Sequence, residues 1–268
     1  MKHLIFIDFD HCLAPCDHDI AATQVKKELS TFGQTGITVG NEFSQIYYHM
    51  VSVLHDNPSP EAIDLNARLN AYPVIRPKNL SSKNVDQKWS RELWLKYLSD
   101  KHNLDLDGKM IIRIVEKYWE TLAANCKLYP DAVDFLKRFG NSVFVITGSD
   151  DRLIFRKDSM VYDPKVSETK KIGRLEEQGL RDILPANHII TADPYSKTHE
   201  NYWRKVISMT GLTTVKNGVV IEDSLPVIVA GRKRGFRGYV LDRYKFYNPN
   251  KIRDKIDGYF TSLKDIDL

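Results

Sequence analysis

Cysteine is scarce in this chain of 268 residues. Cys12, Cys16 and Cys126 are too few to staple a protein of this length, which excludes a disulfide-built fold. Cys12 and Cys16 have no second Cys or His pair at finger-like spacing and read as reduced structural thiols. Long hydrophobic runs are missing too. No apolar stretch approaches the roughly 20 residues a membrane helix needs, and the run Leu4-Ile5-Phe6-Ile7 ends at Asp8. No secretory leader is recognisable. A cytoplasmic location without a membrane partner is therefore expected.

A strong charge of one sign is also absent. The formal net charge is +4, and the densest basic group is Arg232, Lys233, Arg234 and Arg237. That group is short and sits between a helix-like and a strand-like apolar run, so it reads as a solvated helix end. No nucleic-acid partner is expected. The mild positive field favours anionic small molecules. With 42% hydrophobic and 28% charged residues, the composition is that of a folded globular chain.

What is present is a series of short apolar, β-branched runs, each ending in a polar residue. They cover 3–7, 142–146, 188–190, 219–221, 238–241 and, more weakly, 258–260. Continuous apolar runs of this length are the pattern of strands buried on both faces. Helical periodicity fills the intervals. Tyr129-Pro130-Asp131 opens a helix that Gly140 stops, and 202–209 is closed by Gly211. Alternating strands and helices predict an α/β, doubly wound parallel-sheet (Rossmann-like) core.

The stretch 15–128 differs. It has almost no strand signal and several amphipathic runs, at 42–54, 59–69, 85–98 and 110–122, with a Pro-rich break at 72–77. The expected organisation is a core of 1–14 and 129–268 with an all-helical cap domain, 15–128, inserted after the first strand. A further helix is expected in the charged stretch 165–177.

The polar residues at the strand ends carry the chemistry. Asp8 and Asp10 lie two apart where the first strand runs out, and ligands of open α/β sheets bind at the carboxyl ends of strands. Carboxylates this close repel unless a cation relieves them, and Mg²⁺ suits oxygen donors. Thr147-Gly148-Ser149 offers a hydroxyl and free N–H groups for phosphoryl oxygens. Glu222-Asp223 forms a second acidic pair, and Lys197 follows the third core strand. Each has an ordinary reading alone: a turn or capping Asp, a loop turn, a helix start capped near Ser224, a surface lysine.

Their order along the chain resembles the haloacid dehalogenase-like hydrolase superfamily, which carries an Asp-x-Asp first motif, a Thr or Ser second, a Lys third and an acidic fourth. The resemblance covers about 1–14 and 129–265. The helical insertion stands where that superfamily has its first type of cap. The sequence departs from the pattern at His11 and Cys12, where Gly and then Thr or Val are common. The long interval from Thr147 to Lys197 leaves Lys205 as a second choice for the lysine.

The resemblance implies a phosphatase in which Asp8 is the nucleophile and Asp10 the acid and base. Mg²⁺ would be held by Asp8, the backbone carbonyl of Asp10 and Asp223, with Glu222 close enough to help. Thr147, Gly148 and Lys197 would bind phosphoryl oxygens, and the cap would choose the substrate. A dehalogenase of this superfamily has no leaving alcohol to protonate and lacks an acid at the Asp10 position. The expected function is hydrolysis of a small phosphomonoester through an aspartyl-phosphate. A phosphomutase and a non-catalytic binding or regulatory protein are the alternatives. Arg76, Lys78, Arg91 and Trp94 are candidate substrate contacts in the cap, each with a surface or core role as the competing reading.

Overall fold

The structure, a computed structural model, describes residues 3–54, 58–76, 89–148, 150–157 and 159–268. It divides into two compact units: Met1–Cys16 with Cys126–Ser149 and Leu175–Leu268, and Asp17–Asn125 with Asp150–Arg174.

The first unit holds a six-stranded sheet. Its strands are β1 (Leu4–Asp8), β2 (Val143–Thr147), β5 (Ile189–Thr191), β6 (Gly218–Glu222), β7 (Arg237–Leu241) and β8 (Gly258–Phe260), in the order β5-β2-β1-β6-β7-β8. Every pairing is parallel. All six runs read from the sequence are these strands, and the α/β core is as expected. Helices α6 (Pro130–Phe139), α8 (Glu200–Thr210) and α9 (Leu225–Lys233) connect them.

β1 lies inside the sheet and is buried from Ile5 to Asp8. Phe6 stacks on Phe144 at 5.9 Å and meets Phe236 edge-on at 5.4 Å, and Trp203 closes on Phe236 at 5.1 Å. Gly218 makes room for this cluster, since a Cβ there would sit 2.5 Å from the Phe236 ring. Aromatic contacts of this kind add about 0.5–1.5 kcal/mol each beyond area burial. The basic group at the end of α9 is tied down: Arg232 pairs with Asp257 and Arg234 with Glu200.

The second unit contains α1 (His18–Ser30), α2 (Gly33–Leu54), α3 (Pro60–Ala71), α4 (Arg91–Lys101), α5 (Gly108–Asn125) and most of α7 (Pro164–Leu175). Asp17, Ser59 and Ser90 cap α1, α3 and α4 by accepting from Ile20, Ala62 and Leu93 N–H groups. Of the face that periodicity gives α5, Ile111, Ile114, Val115, Tyr118, Trp119 and Leu122 are buried and Met110 is half-buried.

Two expectations need correction. The unit is not all-helical: β3 (Leu153–Arg156) and β4 (Ser159–Tyr162) form an antiparallel hairpin, and Ile75 bridges to Val161 beside it. Residues 150–174, expected in the core domain, group with this unit because the hairpin and α7 pack within it. The expected helix at 165–177 is α7, whereas α1 had no sequence expectation. The start of the run at 85–98, together with Lys78 and Ser149, lies outside the described residues. No helix among the described residues is long and apolar enough to cross a membrane.

A polar cluster sits in the middle of the helices. His18 Nδ1 meets the Tyr118 hydroxyl at 3.0 Å, its Nε2 meets the Ser44 carbonyl at 3.2 Å, and its ring stacks on Tyr47 at 4.4 Å. Arg91 lies over Trp94 at 4.3 Å and donates to the Tyr118 hydroxyl at 3.3 Å. Arg91 and Trp94 are both buried, the core role rather than an exposed one.

Burial, with Arg91 beside it, lowers the His18 pKa from its ordinary value to about 3. The folded state therefore holds His18 neutral while the unfolded chain protonates it near pH 6.5, so protons favour unfolding. His18 should thus lower stability progressively as the pH falls from about 6.5 towards 3. Thermal melts should show this decline in the native protein and a shallower one in His18→Phe; equal slopes would contradict it.

Candidate active site

Parallel pairing brings the polar strand ends to one edge of the sheet. Ile7 is in register with Ile221 and Asp8 with Ile146, so Asp8, Glu222 and Thr147 all stand at the carboxyl ends of neighbouring strands. Asp8 is 5% exposed, and Thr147 and Glu222 are buried. Lys197 enters from the loop after β5. Its Nζ donates to Asp8 Oδ1 at 2.6 Å and to Glu222 Oε2 at 2.7 Å. Gly148 is the close neighbour of the lysine stem, since a Cβ there would lie 3.9 Å from Lys197 Cε.

Lys205, the second choice for the lysine, is elsewhere. Its Nζ donates to the carbonyls of Thr191 and Asp193 at 3.0 Å each, where it closes the end of β5. Ser224 begins α9, and its side chain makes no capping bond.

Asp223 follows β6 and turns back towards Asp8. One ligand atom each from Asp8, Cys12 and Asp223 lies within 4.8 Å of the others. The side chains of Asp10 and Glu222 are outside that group, though Asp10 is close enough to raise the Asp8 pKa. Both Glu222 oxygens are engaged, one on Lys197 and the other accepting from the Ser224 N–H at 3.4 Å. This geometry makes Glu222 the second counter-ion of Lys197.

The electrostatics are dominated by burial. It raises the Asp8 pKa to about 6 against the pull of Lys197, with Asp223 and Asp10 adding to the rise. Burial, then Asp8, raises Glu222 well above the usual carboxylate range. Burial works against a charged Lys197, but Asp8 and Glu222 override it and raise its pKa. Burial and the same carboxylates push the Cys12 thiol well up.

Asp8 and Glu222 thus share a single ammonium while Asp10 and Asp223 stand near Asp8, and this excess of acidic groups calls for a cation. The converging oxygens of Asp8 and Asp223 are the donors a hard divalent ion takes, so the residues fit Mg²⁺.

The loop after Asp8 is fixed from outside. His11 adopts a left-handed backbone at φ 65°, a conformation that Gly takes with less strain. Its N–H donates to Ala14 O at 2.7 Å, and its ring meets Tyr244 edge-on at 5.5 Å. Arg243 donates through Nε to the Cys12 carbonyl at 3.0 Å and through both Nη atoms to Asp131 at 3.0 Å. The guanidinium lies over Tyr129, 4.2 Å from the ring centre. Sequence reasoning missed Arg243 and Asp131, which lie 112 residues apart and belong to no local motif.

No family model matches the chain, and comparison with curated proteins finds no match. Solved structures do match. A putative haloacid dehalogenase-like hydrolase, YfnB from Bacillus subtilis bound to magnesium, is 13% identical with a TM-score of 0.55, over 98% of this chain and 96% of that one. An L-2-haloacid dehalogenase from Xanthobacter autotrophicus is 13% identical with a TM-score of 0.54, over 99% and 96%. A haloacid dehalogenase-like phosphatase from Thermococcus onnurineus is 14% identical with a TM-score of 0.52, over 99% and 95%. At such identities the likeness is one of fold.

Replacing Arg243 by Met would take the guanidinium from Asp131, leaving it the Ser262 hydroxyl and the Leu263 N–H, and would take the Arg243 donor from the Cys12 carbonyl. Breaking a largely buried pair of this kind costs about 3–5 kcal/mol. Urea unfolding should show most of that loss in Arg243→Met. Arg243→Lys should recover only part of it, because an ammonium cannot reproduce the bidentate fork.

Proposed function

Starting from a chain with the fold of the haloacid dehalogenase-like hydrolases, we propose that this site hydrolyses the phosphomonoester of a small molecule, with Mg²⁺ bound. The observation that carries the reading is the convergence of Asp8, Lys197, Glu222 and Asp223 at one sheet edge, with Asp10 two residues beyond Asp8.

In this reading Asp8 attacks phosphorus and becomes an aspartyl-phosphate. Lys197 holds the Asp8 carboxylate in place and presents positive charge to the incoming phosphoryl group. Glu222 keeps Lys197 charged and aimed. Thr147 and the Gly148 backbone, next to Lys197, bind the other phosphoryl oxygens. Asp10 protonates the leaving oxygen and then takes a proton from the water that cleaves the intermediate. Asp8, the Asp10 carbonyl and Asp223 hold the cation. When bound, Mg²⁺ supplies the positive charge that lets a carboxylate approach an anionic ester and stabilises the transition state.

Asp10 favours phosphoester chemistry over dehalogenation, since an acid is needed only where an alcohol departs. The surplus of carboxylates over Lys197 points the same way, to a site that works with a cation in it.

Turnover of a chromogenic phosphomonoester tests this reading. Activity should require Mg²⁺ and vanish in EDTA and in Asp8→Asn. Asp10→Asn should slow it by about two to four orders of magnitude, the usual worth of a positioned proton donor. Activity that survives EDTA or Asp8→Asn, or halide release from a 2-haloacid, would overturn it.

A further inference from the structure

Cys12 is the feature of the site that the phosphatase reading leaves unused. It is fully buried, four residues after Asp8, and its Sγ belongs to the same cluster as the Asp8 and Asp223 oxygens, all within 4.8 Å of one another. Donors around one ion, with bonds of about 2.3 Å to sulfur and about 2.1 Å to oxygen, can be separated by at most about 4.4 Å. With the three atoms within 4.8 Å of one another, side-chain rotation is what must bring them to bonding separation.

The backbone that carries the thiol is also held. Arg243 donates to the Cys12 carbonyl at 3.0 Å, and the Leu13 and Ala14 N–H groups donate to Phe9 O at 2.9 and 3.1 Å. The turn therefore fixes where the side chain starts. The other thiols are not members of the cluster.

We propose that Cys12 is a sulfur ligand of this metal centre when a borderline divalent ion such as Zn²⁺ or Co²⁺ occupies it, so that such ions compete with Mg²⁺ for the site. The inference rests on the proposed function only in placing a metal between Asp8 and Asp223. Mg²⁺ takes oxygen donors and gains nothing from a thiol. Thiolate selects Zn²⁺ and similar ions, and binding deprotonates the thiol outright. On coordination the S–H bond breaks, a sulfur–metal bond forms and the proton leaves to solvent, with no change of oxidation state. An ion held in this way would occupy the place of Mg²⁺ with a tighter grip.

Cobalt(II) reports on its own ligands without any turnover. Titrating the metal-free full-length protein with Co²⁺ should produce visible d–d bands and, in the near ultraviolet, a sulfur-to-cobalt charge-transfer band. Cys12→Ser and Cys12→Val should keep the d–d bands and lose the charge-transfer band, with Co²⁺ affinity at least tenfold weaker and Mg²⁺ affinity changed less than about twofold. Cys16→Ser and Cys126→Ser should keep both bands.

Visible bands that disappear in Asp223→Asn, without a charge-transfer band in the native protein, would overturn the sulfur ligand and leave the metal site standing. Cobalt bands that Asp223→Asn does not change, or no bands at all, would sink the metal site and this inference with it. Thermal melts of each variant establish that it is folded before its spectrum is compared.

Discussion

One ammonium held between two buried carboxylates organises this site. Lys197 touches both Asp8 and Glu222 within hydrogen-bond distance. Burying three charges is costly, and their mutual attraction repays that only when the geometry is good. The parallel sheet supplies the geometry. β1 and β6 are neighbours in register, so the next residue of each after Ile7 and Ile221 faces the same edge. Removing Lys197 would leave Asp8 and Glu222 side by side without a counter-ion in a medium that screens charge poorly, where both cannot stay ionised. The fold therefore commits the lysine to its carboxylates, and with that fixes the Asp8 side chain that the proposed chemistry needs.

Much of this was readable in advance because a strand buried on both faces leaves a strong trace. Each core strand is a short β-branched run with a polar residue at its end, and both features survived into the structure. The hairpin β3–β4 left no such trace. Leu153 to Arg156 and Ser159 to Tyr162 are only half-buried runs of four residues, and Lys157 makes their turn with a left-handed backbone at φ 55° in place of a Gly or Asn signal. α1 was missed because its buried face is made by His18, two alanines, Val25 and Leu29, a weak hydrophobic stripe.

The site was legible in a different way. Asp8, Thr147, Lys197 and Asp223 stood out by position relative to the strands, and Lys197 separated from Lys205 only when the helix α8 showed Lys205 reaching back to carbonyls. Arg243 was invisible. Its partners are a carboxylate 112 residues away and a backbone carbonyl, and periodicity carries no record of either. Cys12 was read as a reduced structural thiol and is free and buried; its nearness to Asp8 and Asp223 exists only in space and leaves no trace in the sequence.

Buried charge by itself does not mark a site in this protein. In the second unit Arg152 sits between Glu92 and Glu116, Lys170 also reaches Glu116, and Arg91 and Lys171 share Asp150. There the signs alternate, each carboxylate meets a cation, and the network is a folding device. In the first unit Asp8 and Glu222 share one lysine with Asp10 and Asp223 near Asp8, and burial drives Asp8 and Glu222 towards their neutral forms. A protein that only had to fold would gain stability by deleting one of those acids. In the proposed reading a bound cation offsets that excess, and the same ion would give the buried thiol beside them a partner.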